Sequence, residues 1–200
     1  MFRIYKTNLP SESFNSDLKK PKIVRGYFQS PELVNECLYM YFDELHEFTT
    51  DLLNALTFKN VINDDSTVLH IRRGDFLSNA EKVGLLTLEY FNQQIEGAVR
   101  PIIFTDADEN DLEISKFFKS SLIFEAKSVD TWTTFALMTF AKKLVISNST
   151  FSWWAGILAA NRGAEVVAPS PWTKTPIYGQ SYLNYAGFIY KPSLFVGDGE

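Results

Sequence analysis

The sequence predicts an α/β fold with a doubly wound parallel sheet. Two observations carry that prediction. From residue 66 to 168, five short β-type runs alternate with four stretches that can be helices, the pattern of a parallel sheet covered on both faces. Each run also stops in polar, hydroxyl-bearing or charged residues, and ligands of such sheets bind outside the carboxyl ends of the strands. Taken in order, residues 1–30 are polar and turn-rich, with Pro10, Pro21 and Gly26, and read as loop and short strand. Residues 31–58 read as a helix. Pro31 suits its first turn, and Leu33, Leu38, Tyr41, Phe42, Leu45, Phe48 and Leu52 recur at helical spacing. His46 lies within it as an ordinary helix residue. Asn63-Asp64-Asp65-Ser66 breaks the pattern as a turn. The strands follow at 68–71, 102–105, 122–125, 144–147 and 165–168, with helices at about 87–98, 109–119, 131–142 and 150–161.

Composition sets the outer bounds. The chain has 200 residues, 46% of them hydrophobic, enough for a sizeable core. A net charge of −5 argues against a broad basic face that would hold nucleic acid, while leaving room for a small basic pocket. Cys37 is the single cysteine, so no internal disulfide forms, which fits a reducing compartment. With only His46 and His70 and no second cysteine, a structural zinc site is not expected. No apolar run is long enough to span a membrane, and the first residues lack a signal-peptide core.

The first strand ends in His70-Ile71-Arg72-Arg73-Gly74-Asp75-Phe76. Arginine presents a fork of donors that matches phosphate oxygens two at a time, and the glycine lets the backbone turn sharply beside a ligand. By themselves the arginines admit two readings, a phosphate clamp or an ion-paired strand end. The fourth strand runs into Asn148-Ser149-Thr150-Phe151-Ser152-Trp153-Trp154-Ala155. Hydroxyls at a helix start suit a phosphate, though Ser, Thr and Asn are also ordinary caps. The two tryptophans read as core.

Together these stretches resemble the signatures of glycosyltransferase family 11, the α-1,2-fucosyltransferases. Phe104-Thr105-Asp106, Val167-Ala168-Pro169-Ser170-Pro171-Trp172 and Gly26-Tyr27-Phe28-Gln29-Ser30 resemble further family segments, in the right order, over about residues 25–175. The resemblance implies the C-terminal, Rossmann-like half of a GT-B glycosyltransferase with a partial N-terminal lobe. Residues 1–62 would be the remnant of that lobe with linker helices, 63–178 the GDP-sugar-binding domain and 179–200 a C-terminal tail. It implies GDP-fucose as donor, a galactose-containing glycan as acceptor, inversion at the anomeric carbon, and no metal or other cofactor. Arg72 and Arg73 would hold the diphosphate and offset its charge as GDP departs. His70 would donate a hydrogen bond beside them. Ser149 and Thr150 would seat a phosphate, with Asn148, Phe151 and Asp106 in the same donor site. Asp75 would either position Arg73 or act as base toward the acceptor hydroxyl. A cytoplasmic location follows from the resemblance, with room for peripheral membrane contact.

Two departures stand out. A Gly-Gly-Leu-Gly-Asn-Gln segment that many family members carry near their start is absent here. An acidic position four residues before the helix methionine, Met138, is Thr134, for which Asp130 would substitute in gripping the nucleoside. Three other readings stay open: a catalytically inactive fragment that at most binds GDP or glycan, a metal-dependent transferase using Asp106 and Asp108, and a non-enzymatic phosphoprotein or sugar-phosphate sensor.

Overall fold

The computed structural model describes residues 4–6, 23–25, 31–55, 61–63, 65–108, 111–175 and 183–198. Strands β1 (Ile4–Lys6) and β2 (Ile23–Arg25) pair in parallel. Helix α1 (Pro31–Ala55) precedes the main sheet. That sheet contains β3 (Thr67–Ile71), β4 (Ile102–Thr105), β5 (Leu122–Glu125), β6 (Lys143–Val145), β7 (Glu165–Ser170) and β8 (Phe188–Pro192). Between them lie a 3-10 stretch (Gly74–Asn79), α2 (Ala80–Val83), α3 (Leu88–Asn92), α4 (Glu113–Phe117), α5 (Thr131–Thr139) and α6 (Thr150–Asn161). The matching segment at Gly26–Ser30 lies outside the described residues.

The strand order is β5-β4-β3-β6-β7-β8 and every pairing is parallel. From β3 the chain moves outward to β4 and β5, then returns to lay β6 on the other side of β3. Outside the carboxyl ends of β3 and β6 the order reverses, and such a switch point opens a crevice.

Both faces of the sheet are covered, which is why its central strands are apolar at successive positions. On one face Val68, Phe104, Leu144, Ile146 and Val166 pack against Leu137, Met138, Trp153 and Ile157 of α5 and α6. On the other, Leu69, Ile71, Ile103, Val145 and Val167 pack against Tyr90, Phe91, Ile114 and Phe118. Gly156 lets α6 come close, since a Cβ there would lie 2.9 Å from the Phe188 ring and 3.1 Å from Val166.

Arg162, just past α6, ties α1 to this unit. Its guanidinium donates to His46 Nδ1 at 3.0 Å, to Thr49 Oγ1 at 2.6 Å, and to the Thr139 carbonyl and hydroxyl, and lies 4.1 Å from the Phe140 ring centroid. Burial lowers its pKa to about 10, so it stays charged at neutral pH.

Strand β8 lies beyond residue 178, so the sheet extends past the boundary drawn from the sequence. Its proline is tolerated because β8 is an edge, paired with β7 alone. The chain then crosses back under the sheet. Thr87 donates to the Leu194 carbonyl and Val196 to the Leu85 carbonyl, both at 2.8 Å, around an antiparallel bridge between Leu86 and Phe195.

Candidate active site at the switch point

The two sequence motifs meet where the topology places them. His70 lies on β3, one residue short of its end, with Phe104 as its neighbour in register. Its Nδ1 is 3.2 Å from Ser147 Oγ, just past β6, and its ring packs on Phe151 of α6 at 5.5 Å. Phe151 in turn meets Phe135 of α5 at 5.6 Å. His70 is 5% exposed. Burial, and then the nearby charge of Arg72, lower its pKa to about 3, so the ring is neutral under ordinary conditions.

The twin arginines part company. Arg72 stays partly exposed past the end of β3, with about a third of its side chain open to solvent, and is held by Asp75 at 2.7 Å and Asp106 at 2.6 Å. Arg73 turns inward. Its side chain is 7% exposed and bonds Asp111 at 2.8 Å and Glu113 at 2.5 Å, tying the end of β3 to the start of α4. Arg73 thus takes the environment of an ion-paired strand end, one of the two readings the sequence admits. Asp75 likewise pairs with Arg72, not with Arg73.

Asp106 organises the turn. Its Oδ1 accepts the Arg73 backbone N–H at 2.6 Å while Oδ2 holds Arg72. Gly74 makes room for this, because a Cβ there would sit 2.3 Å from Asp106 Oδ2. Asp106 thus acts on Arg72, and the metal-binding reading with Asp108 loses a carboxylate already engaged by a guanidinium and an amide. Among the described residues no group of three or more His, Cys, Asp or Glu side chains is arranged to hold a metal.

The loop after β6 is held differently. Asn148, 4% exposed, donates to the carbonyls of Gly84 at 2.9 Å and Val83 at 3.2 Å. Ser152 donates to the Ser147 and Ser149 carbonyls. Ser149 stands at the N-cap of α6, yet its side chain makes no cap hydrogen bond, so the ordinary-cap reading does not describe it. Thr150 opens the helix. By contrast Asp130 is a true cap for α5: Oδ1 accepts from the N–H of Trp132 and Thr133, and Oδ2 from the Thr133 hydroxyl. Both oxygens of the Asp130 carboxylate are thus engaged at the start of its own helix.

Asp111 and Glu113 escaped the sequence reading. They lie 38 and 40 positions beyond Arg73, and no spacing marks them as its partners. A cavity of about 370 Å³ beside Lys143, Glu165 and Lys191 contains none of the predicted site residues.

The family profile described as glycosyl transferase family 11 matches residues 12–183. The chain belongs to glycosyltransferase family 11. An Escherichia coli alpha-1,2-colitosyltransferase is 31% identical over 193 residues, covering 84% of this chain and 64% of that protein. The Escherichia coli O-antigen biosynthesis glycosyltransferase WbnK is 29% identical over 210 residues, covering 90% and 68%. This family 11 chain therefore spans about two thirds of the length of the curated relatives it matches. A structure of POFUT1 in complex with GDP is similar at a TM-score of 0.41 and 14% identity, over 69% of this chain and 52% of that one. Among the described residues no helix is long and apolar enough to cross a membrane.

Proposed function

We propose that this chain carries the nucleotide-sugar half of a GT-B enzyme that transfers fucose from GDP-fucose to the 2-hydroxyl of a galactose in a glycan. The observation that carries the reading is the meeting of its two family signatures at the switch point, through the packing of the His70 ring on the Phe151 ring at 5.5 Å. Inversion requires the acceptor oxygen to bond the anomeric carbon as the bond from that carbon to the β-phosphate oxygen breaks. The electron pair leaves with GDP, and the acceptor proton passes to a base.

Arg72 is placed to offset the charge that grows on the diphosphate. Two acids hold it in position, and a guanidinium has five N–H donors, enough to keep them and still meet phosphate. His70 serves as a neutral donor beside it. The start of α6, with Ser149 and Thr150, seats a phosphate on the helix dipole. Arg72 would supply the positive charge, and the reaction would run without a metal. Acceptor contacts would come from the other lobe, and the work would be done on the cytoplasmic side, at or near the membrane.

The test is calorimetric titration with GDP and GDP-fucose, then a transfer assay with a β-galactoside in the presence of EDTA. Binding and metal-independent transfer are expected. Binding without turnover would favour the inactive-fragment reading, and loss of turnover with EDTA would revive the metal-dependent one. The relative named as a colitosyltransferase favours a second donor reading, so a colitose-bearing donor belongs in the same assay.

A further inference from the structure

We infer that Ser147 is a positioning residue for this site: its hydroxyl donates to His70 Nδ1 and locks the imidazole with its proton on Nε2. The argument is one of satisfying buried groups. Ser147 is 1% exposed, and its Oγ meets only His70 Nδ1 among the described residues. If Nδ1 carried the proton and donated to Oγ, the serine proton would have no acceptor in a buried place. Leaving such a donor unmade costs about 1–3 kcal/mol. If the serine donates, both groups are satisfied by one bond and the imidazole proton must sit on Nε2.

Low solvation and the charge of Arg72 keep the ring from taking a second proton. His70 Nε2 has no hydrogen-bond partner among the described residues, although the residue is 5% exposed. An N–H without a protein acceptor, at the carboxyl ends of the two central strands and close to Arg72, suits an anionic oxygen such as one on a nucleoside diphosphate. This ligand half rests on the proposed donor site; the tautomer half does not.

The chain has two histidines, so long-range proton–nitrogen spectra of histidine-labelled protein read both rings directly. The His70 signals are those lost in His70→Gln. At pH 7 the wild type is expected to show neutral His70 with the proton on Nε2, and GDP should move the Nε2 resonance. In Ser147→Ala the ring is expected to populate the other tautomer, and GDP affinity to fall about three- to tenfold, the worth of one neutral hydrogen bond. Ser147→Cys keeps a weak donor and should fall in between. Unchanged His46 signals would show that each variant is folded.

An Nδ1–H tautomer in the wild type would overturn the inference. So would an alanine variant that keeps both the tautomer and the affinity of the wild type. An Nε2–H wild type that binds no GDP would uphold the lock and overturn its ligand role, along with the proposed donor site.

Discussion

The two loops that frame the crevice are built on opposite principles. The loop after β3 is held by charge: Arg72 with Asp75 and Asp106, Arg73 with Asp111 and Glu113. The loop after β6 is held by neutral bonds: Asn148 to two carbonyls, Ser152 to two more, Ser147 to His70. Ion pairs at a partly exposed edge can be rearranged when an anion arrives, because screening and competing charge weaken them. Buried neutral bonds have no such alternative. One side of the site is thus suited to respond to ligand and the other to stay in place.

The sharpest way to break this contrast is at Arg72. Arg72→Ala is expected to lower the transfer rate by about 10²- to 10³-fold, the usual loss for one charge-stabilising donor, with little change in melting temperature. A variant that unfolds instead, or keeps its activity, would make Arg72 structural. The neighbouring residue should give the reverse pattern. Arg73→Ala strands the mostly buried Asp111 carboxylate and should destabilise the chain by roughly 3 kcal/mol in denaturant titration. If Arg73→Ala is as stable as wild type yet inactive, the two arginines share one role after all.

The neutral loop is tested by Asn148→Ala. It leaves the Gly84 carbonyl without its donor, while the Val83 carbonyl keeps the Lys174 N–H, and should cost about 1–3 kcal/mol, seen as a drop of several degrees in melting temperature. Added salt should weaken GDP binding while leaving this loss unchanged.

A further difference lies in pH. The folded-state pKa of His70 is depressed from 6.5 to about 3, so the unfolded chain binds the proton more readily across that window. Stability should therefore fall as pH drops from 6.5 toward 3, in melting temperatures measured against pH. His70→Gln should flatten that slope; an equally steep profile would assign it to other groups. The smallest effect belongs to Asp130. Asp130→Ala removes a helix cap and should lower the melting temperature slightly while GDP affinity stays at the wild-type level. A large loss of affinity would return Asp130 to the donor site.

Much of this frame was legible in the chain. The strands at 102–105 and 122–125 and helix α6 lie where the pattern of runs puts them, because buried parallel strands and capped helices leave local marks. Helix α3 ends at Asn92 rather than near 98, since Gln94, Ile95 and Ala98 close successive turns. Strand β8 was missed because it is short, carries Pro192 and follows a long connection, so nothing local announces an edge strand. Within the site, Ser147 was read only as a strand end, but His70 and Phe151, which touch between β3 and α6, were readable as motifs. The split between Arg72 and Arg73 was not. Two identical neighbours take different environments only because α4 brings Asp111 and Glu113 back to one of them, which is a property of the folded chain.

The antiparallel bridge at Phe195 carries the last lesson. The carbonyls that receive Asn148 belong to Val83 and Gly84, and the segment that follows at once is pinned by Leu194 and Val196. The segment Leu194–Val196 therefore buttresses the loop after β6 from a distance, through Leu85–Thr87. Cutting the chain just before Leu194 removes those pins and should loosen GDP binding along with the Val83–Gly84 segment.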